Sequence, residues 1–175
     1  MLSRAFKSPP KLLDPHRDLR HNRTYDRPLL EGKRGMVEQA KPVGLTKDVG
    51  WQIGVRRTLS VHHDKAWRLL TSKAGMKLWL NGTPELDFIK GETYELADGS
   101  TGEVRVFHPG SHLRMTWQPP DWPRASLIQV RIIPKRDRTV IAFHQEHLPG
   151  PEAREDRRAH FTAVMDELES LLAAG

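Results

Sequence analysis

The chain has 175 residues, 37% hydrophobic and 29% charged, and carries a formal net charge of +6. That length suits one domain with an extension. The absence of cysteine excludes disulfides, zinc–thiolate sites and a cysteine nucleophile. Residues 1–35 hold nine Lys/Arg and four acids, so +5 of the net charge lies there and the remaining 140 residues are nearly neutral. A nearly neutral domain is not expected to bind nucleic acid specifically. With Pro9, Pro10, Pro15 and Pro28 and no sustained period, 1–35 reads as a disordered basic extension, and, since foldable pattern begins only after it, Met36 is expected to be the real start, with the upstream residues a start-site overcall. A basic arm for RNA or membrane is a competing reading; acids and prolines speak against a mitochondrial presequence. No apolar run approaches a membrane span of about 20 residues and no secretory signal opens the chain, so a cytoplasmic protein is expected.

Residues 36–50 read as a lead-in, and the domain as 51–175. Ile53, Val55, Leu59 and Val61 alternate as in a half-buried strand. His63 or Asp64 can then cap a helix whose stripe is Ala66, Trp67, Leu69 and Leu70. Gly75 punctuates, and Met76, Leu78, Trp79 and Leu80 form a second short helix. Strands follow at 93–96, 103–107, 112–118, 126–133 and 139–146, separated by turns such as Asp98-Gly99 and His108-Pro109-Gly110. Their hairpin spacing predicts an antiparallel sheet.

Parity sorts the faces. Val104 and Val106, then Leu113, Met115 and Trp117, then Ile128, Val130 and Ile132, then Ile141 and Phe143 define a buried face. Arg105, Arg114, Thr116, Gln129, Arg131 and His144 define a wet one. The cover is a final helix, with Pro151 in its first turn and Phe161, Val164, Met165, Leu168, Leu171 and Leu172 along one side. Running from 151 to 173, it would be roughly 33 Å long, enough to cross a sheet.

This order predicts an α+β helix-grip fold, with a curved antiparallel sheet wrapped around a long C-terminal helix and two short helices after the first strand. The motifs are Ala66-Trp67 through Leu70-Thr71 into Trp79, Lys90-Gly91-x-x-Tyr94, Gly102-x-Val104 to Pro109, Leu113-x-Met115-Thr116-Trp117, and Thr139-Val140-Ile141 to His147-Leu148-Pro149. In that order and spacing the chain resembles the SRPBCC (START-like) superfamily and, within it, homologues of the activator of heat-shock-protein-90 ATPase, over about residues 51–173. The resemblance implies a cavity between sheet and long helix that holds apolar or amphipathic ligands. Some superfamily members are cyclases or hydroxylase domains. The eukaryotic co-chaperones carry an additional N-terminal chaperone-binding domain, for which residues 1–50 are too short.

Chemistry-bearing residues are few. His144-Gln-Glu-His147 has metal-like spacing on a helix, but on a strand residues three apart face opposite ways. His62-His63-Asp64 opens a helix, where capping accounts for Asp64. No phosphate loop, nucleophile elbow or carboxylate pair is present. No metal, cofactor or catalytic residue is therefore expected. The candidate ligand-binding residues are polar groups with buried-face parity, Arg57, His108 and Gln145, together with Trp79, Tyr94, Met115, Trp117, Phe143, Phe161 and Met165. Trp122 is placed on a loop at the cavity mouth and Trp67 in helix–sheet packing.

The leading expectation is a non-enzymatic domain that binds a small apolar or amphipathic molecule. The alternatives are a cyclase or hydrolase using His108 with Arg57, and a protein-interaction module that stimulates a chaperone or other ATPase. No membrane association is expected, and the chain is read as a monomer or homodimer.

Overall fold

The computed structural model describes residues 42–174. The expectations for 1–35 and for the first part of the lead-in lie outside the described residues. The elements are β1 (Leu45–Thr46), β2 (Gly50–Leu59), α1 (His63–Thr71), α2 (Lys73–Leu80), β3 (Thr93–Glu95), β4 (Thr101–His108), β5 (His112–Trp117), β6 (Ser126–Lys135), β7 (Arg138–Leu148) and α3 (Pro151–Ala174). They form one open, curved, antiparallel sheet in the order β1-β2-β7-β6-β5-β4-β3, gripping the last helix. The sheet begins earlier than the apolar pattern suggests. Two residues of the lead-in, Leu45 and Thr46, already pair with β2.

Two local signals differ from their sequence reading. The N-cap of α1 is His62, whose Nδ1 accepts from the Asp64 N–H at 3.4 Å, and Asp64 lies in the first turn. Ser72, not Gly75, separates the two short helices. It closes α1 through its N–H to the Leu69 carbonyl, and its hydroxyl accepts from the Gly75 N–H. Gly75 sits inside α2, at a position closed to other residues because a Cβ there would lie 2.0 Å from the Leu69 carbonyl oxygen.

α3 runs for 24 residues, about 35 Å, and packs on β2, β7 and α2. Its buried residues are Arg154, Arg157, Phe161, Val164, Met165, Leu168 and Leu172. Leu171, part of the predicted stripe, is 47% exposed. The rings of Phe143 on β7 and Phe161 on α3 stack at 4.8 Å, and Trp79 of α2 lies 6.4 Å from Phe143. Helix, sheet and short helix thus meet in one aromatic cluster.

The main departure from the predicted faces is in β4. Val104 pairs with Met115, but Val106 pairs with Arg114, so Arg105 is an extra residue and the strand bulges. Beyond it parity reverses. Phe107 turns to the covered face opposite Leu113, while Val106 and His108 face solvent.

Candidate functional site

The ten candidates divide by position. Trp79, Met115, Phe143, Phe161 and Met165 are at most 3% exposed and pack as core. The Trp79 indole N–H donates to the Leu70 carbonyl at 2.9 Å. Tyr94 is buried over Gly102, its hydroxyl donating to the Thr116 carbonyl at 2.7 Å, and burial raises its pKa. It also edges a hollow of about 480 Å³ on the β3–β5 side, whose lining includes Glu95, Glu103 and Gln118.

Two candidates are elsewhere. His108 is exposed on the solvent face, its ring 4.6 Å from that of its cross-strand partner His112. The β4 bulge is the cause, since one extra residue inverts a period of two. Arg57 has the parity of the covered face but lies on its flank. It pairs there with Asp166 at 2.7 Å and Glu169 at 2.8 Å of α3, with 30% of its side chain exposed. His108 and Arg57 are therefore on opposite faces of the sheet and share no site, which removes the proposed acid–base and anion pair.

The remaining two, Gln145 and Trp117, belong to a buried polar chain. Gln145 has no exposed surface. Its carboxamide donates to the Ser126 hydroxyl at 2.8 Å, which donates to the Trp117 carbonyl at 2.8 Å. In the other direction the Gln145 oxygen accepts from Nε of Arg157 at 2.8 Å. The Arg157 guanidinium lies 4.5 Å from the Trp117 ring centre and 4.7 Å from that of Phe161, both cation–π distances. Trp122, half-buried on the β5–β6 loop, meets Trp117 edge-on at 5.2 Å.

Arg157 is 7% exposed, and burial lowers its pKa to about 10. Among the described residues, no carboxylate pairs with it, and Nε is its one hydrogen-bonding nitrogen. The Trp117 indole N–H is also buried without a partner among the described residues. One turn on, His160 donates from Nε2 to the Trp79 carbonyl at 3.1 Å. Burial lowers its pKa first, and the Arg157 charge lowers it further.

The sequence reading missed Arg157, although a signal was present. The stripe that includes 161, 164, 165 and 168 continues backwards to 157 and 154, both buried arginines. Arg154 is served by the fold, donating from Nε to the Gln52 carbonyl at 3.1 Å and pairing with Glu155.

The histidine motifs are placed as follows. Both ring nitrogens of His144 are engaged, Nε2 with Gln52 at 2.7 Å and Nδ1 with Glu146 at 3.3 Å. His147, in left-handed backbone, donates its N–H to the Val49 carbonyl. The ligand atoms of His62, His63 and Asp64 lie within 4.8 Å of one another, with His62 and Asp64 exposed. No helix among the described residues is long and apolar enough to cross a membrane.

A long helix held in a curved antiparallel sheet is the helix-grip architecture of the SRPBCC class. Residues 60–173 match the family model described as "Activator of Hsp90 ATPase homolog 1-like protein", and the chain belongs to that family. No curated protein matches the sequence significantly. Solved structures share the fold. Protein MLL2253 from Mesorhizobium loti has a TM-score of 0.60 at 22% identity, covering 70% of this chain and 97% of that one. PFC0360w, an HSP90 activator from Plasmodium falciparum, has 0.59 at 17%, covering 70% and 96%. CalU16 from Micromonospora echinospora has 0.61 at 17%, covering 69% and 65%.

Proposed function

We infer that the domain binds a small, mostly apolar molecule at the end of the helix–sheet interior marked by Trp117, Trp122, Gln145 and Arg157, without catalysis of its own. The observation that carries this is the buried Trp117 indole N–H, without a partner among the described residues, beside an Arg157 side chain that is 7% exposed and bonds through Nε alone against aromatic rings. Buried polar groups in proteins are nearly always paired, and an exception calls for a reason. A few unspent polar groups among aromatic side chains are what fix a ligand's orientation in an apolar site. Trp122 meets Trp117 edge-on at this end, so on this reading a ligand enters by displacing Trp122. Thermal-shift and native mass-spectrometry screening against lipids, polyketides and aromatic metabolites tests the reading. Binders that perturb Trp117 are expected; a screen with none sinks it.

A second reading, protein interaction, is favoured by the family and by a basic stripe on the solvent face. Arg131, His112 and His108 follow one another across β6, β5 and β4, Arg56 lies beyond Ala142 of β7 in the same row, and Arg114 is two residues along β5. The pKa of His112 is lowered by burial and then by His108, Arg131 and Arg114, a sign of the positive field there. Such a stripe suits an acidic surface on a partner ATPase. Adding the protein to an Hsp90 ATPase assay is expected to raise turnover, and the Arg56→Glu, Arg131→Glu double variant to lose the effect. No stimulation by the unaltered chain removes this reading.

A further inference from the structure

We propose that the ligand is a small amphipathic monocarboxylate, its carboxylate held by the terminal nitrogens of Arg157 and its apolar body lying against Trp117, Trp122 and Phe161. The proposal rests on the ligand-binding reading above and narrows it to one chemistry.

Arg157 is a cation whose valences are only partly used. Its Nε is spent on Gln145, and its faces on Trp117 and Phe161. The two terminal nitrogens, with four N–H groups between them, have no acceptor among the described residues. Other arginines on the covered side do not share this condition. Arg57 has two carboxylates, and Arg154 has Glu155 and a backbone carbonyl. Arg157 is 7% exposed, so most of the side chain is withdrawn from water at a cost, while its terminal nitrogens, not sealed from solvent, stay open to an incoming acceptor.

The geometry also selects the partner. Stacking on aromatic rings and the bond to Gln145 fix the plane of the guanidinium, so its outer edge presents a planar fork. A carboxylate matches that fork with two parallel hydrogen bonds. One cation balances one negative charge. A phosphate dianion would bring a second charge into an apolar wall with no counter-ion. The buried Trp117 N–H is left for a hydroxyl or carbonyl elsewhere on the same ligand.

The test uses the full chain, labelled with ¹⁵N and titrated with decanoate and 1-naphthoate. The controls are decanol, 1-naphthalenemethanol and decyl phosphate. Carboxylates are expected to shift the Trp117 indole and Arg157 Nε–H signals and to raise Tm. The Trp79 indole, bonded to the Leu70 carbonyl, serves as the internal reference for an intact fold. The matched alcohols should bind at least about tenfold more weakly, the loss of one charge-assisted interaction. Arg157→Gln should erase the preference, and Arg157→Lys should keep part of it. Gln145→Glu gives Arg157 a carboxylate from within the fold and should abolish carboxylate binding even if Arg157→Gln fails to fold. Equal affinity for acid and alcohol, a preference that survives Arg157→Gln or Gln145→Glu, or tighter binding of decyl phosphate overturns the proposal while leaving ligand binding intact. No response to any compound overturns both.

Discussion

Arg57 and Arg157 both stand at the junction of sheet and last helix, and they are held in opposite ways. Arg57 lies on the flank, 30% exposed, between Asp166 and Glu169, and those partners raise its pKa, the Asp166 hydrogen bond foremost. Arg157 is mostly buried against two rings, with a neutral carboxamide as its hydrogen-bonding partner, and burial lowers its pKa to about 10. The first arrangement fastens a helix to a sheet edge at little cost, because water still screens the charges. The second holds a charge that water screens far less, its side chain being 7% exposed, which detracts from stability. Of the two, Arg57 is explained by the fold, and Arg157 is the one that the proposed ligand would explain.

The sharpest way to break the comparison is to remove the platform on which Arg157 rests. Phe161→Ala deletes a fully buried ring stacked on Phe143. It should cost about 3–5 kcal/mol in urea unfolding, the largest effect expected here, and release Arg157 as well. Next comes Gln145→Leu, which strips Arg157 of its acceptor and should cost about 1.5–3 kcal/mol. Adding Arg157→Met should recover most of that loss, because an apolar pair replaces an unmatched charge. A double variant less stable than the single one would show that the guanidinium itself stabilises the fold.

Arg57→Ala should cost less than about 1 kcal/mol, and the loss should shrink further in high salt, as for an exposed pair. A large, salt-independent loss would mean that Arg57 is a core residue and the contrast is wrong. The smallest effect concerns His160. Its folded pKa lies below that of the unfolded chain, so on acidification the unfolded form takes up the proton first. Stability is complete above the ordinary histidine range near about 6.5 and declines as pH falls below it. Arg157→Gln removes the second cause of the shift and should move the His160 titration upward by NMR. A titration that does not move would place the Arg157 charge too far away to act.

Much of the scaffold was legible because periodicity is a local property. The alternation through Leu113, Met115 and Trp117, and through Ile128, Val130 and Ile132, is that of buried strand faces, and the final stripe reads as a helix crossing them. Gln145 was placed on the covered face by the same parity, since no register shift intervenes between it and Phe143. His108 was misplaced because parity was carried past Arg105, and nothing in Val104-Arg105-Val106-Phe107 announces an extra residue. Phe107 was the available hint, an aromatic residue standing where the alternation called for a polar one.

From β2 onward the strands and helices and their order are written in the residues alone, because each depends on neighbours a few positions apart; the two-residue β1 is too short to carry a period. The tertiary structure alone decided what the polar residues on those elements do. The bulge that turns His108 to solvent arises from how β4 meets β5. The acids that claim Arg57 are more than a hundred positions away on α3. The wall around Arg157 is assembled from β5, β7 and α3. A charge is paired or unpaired only with respect to what the fold brings beside it, and no periodicity records that.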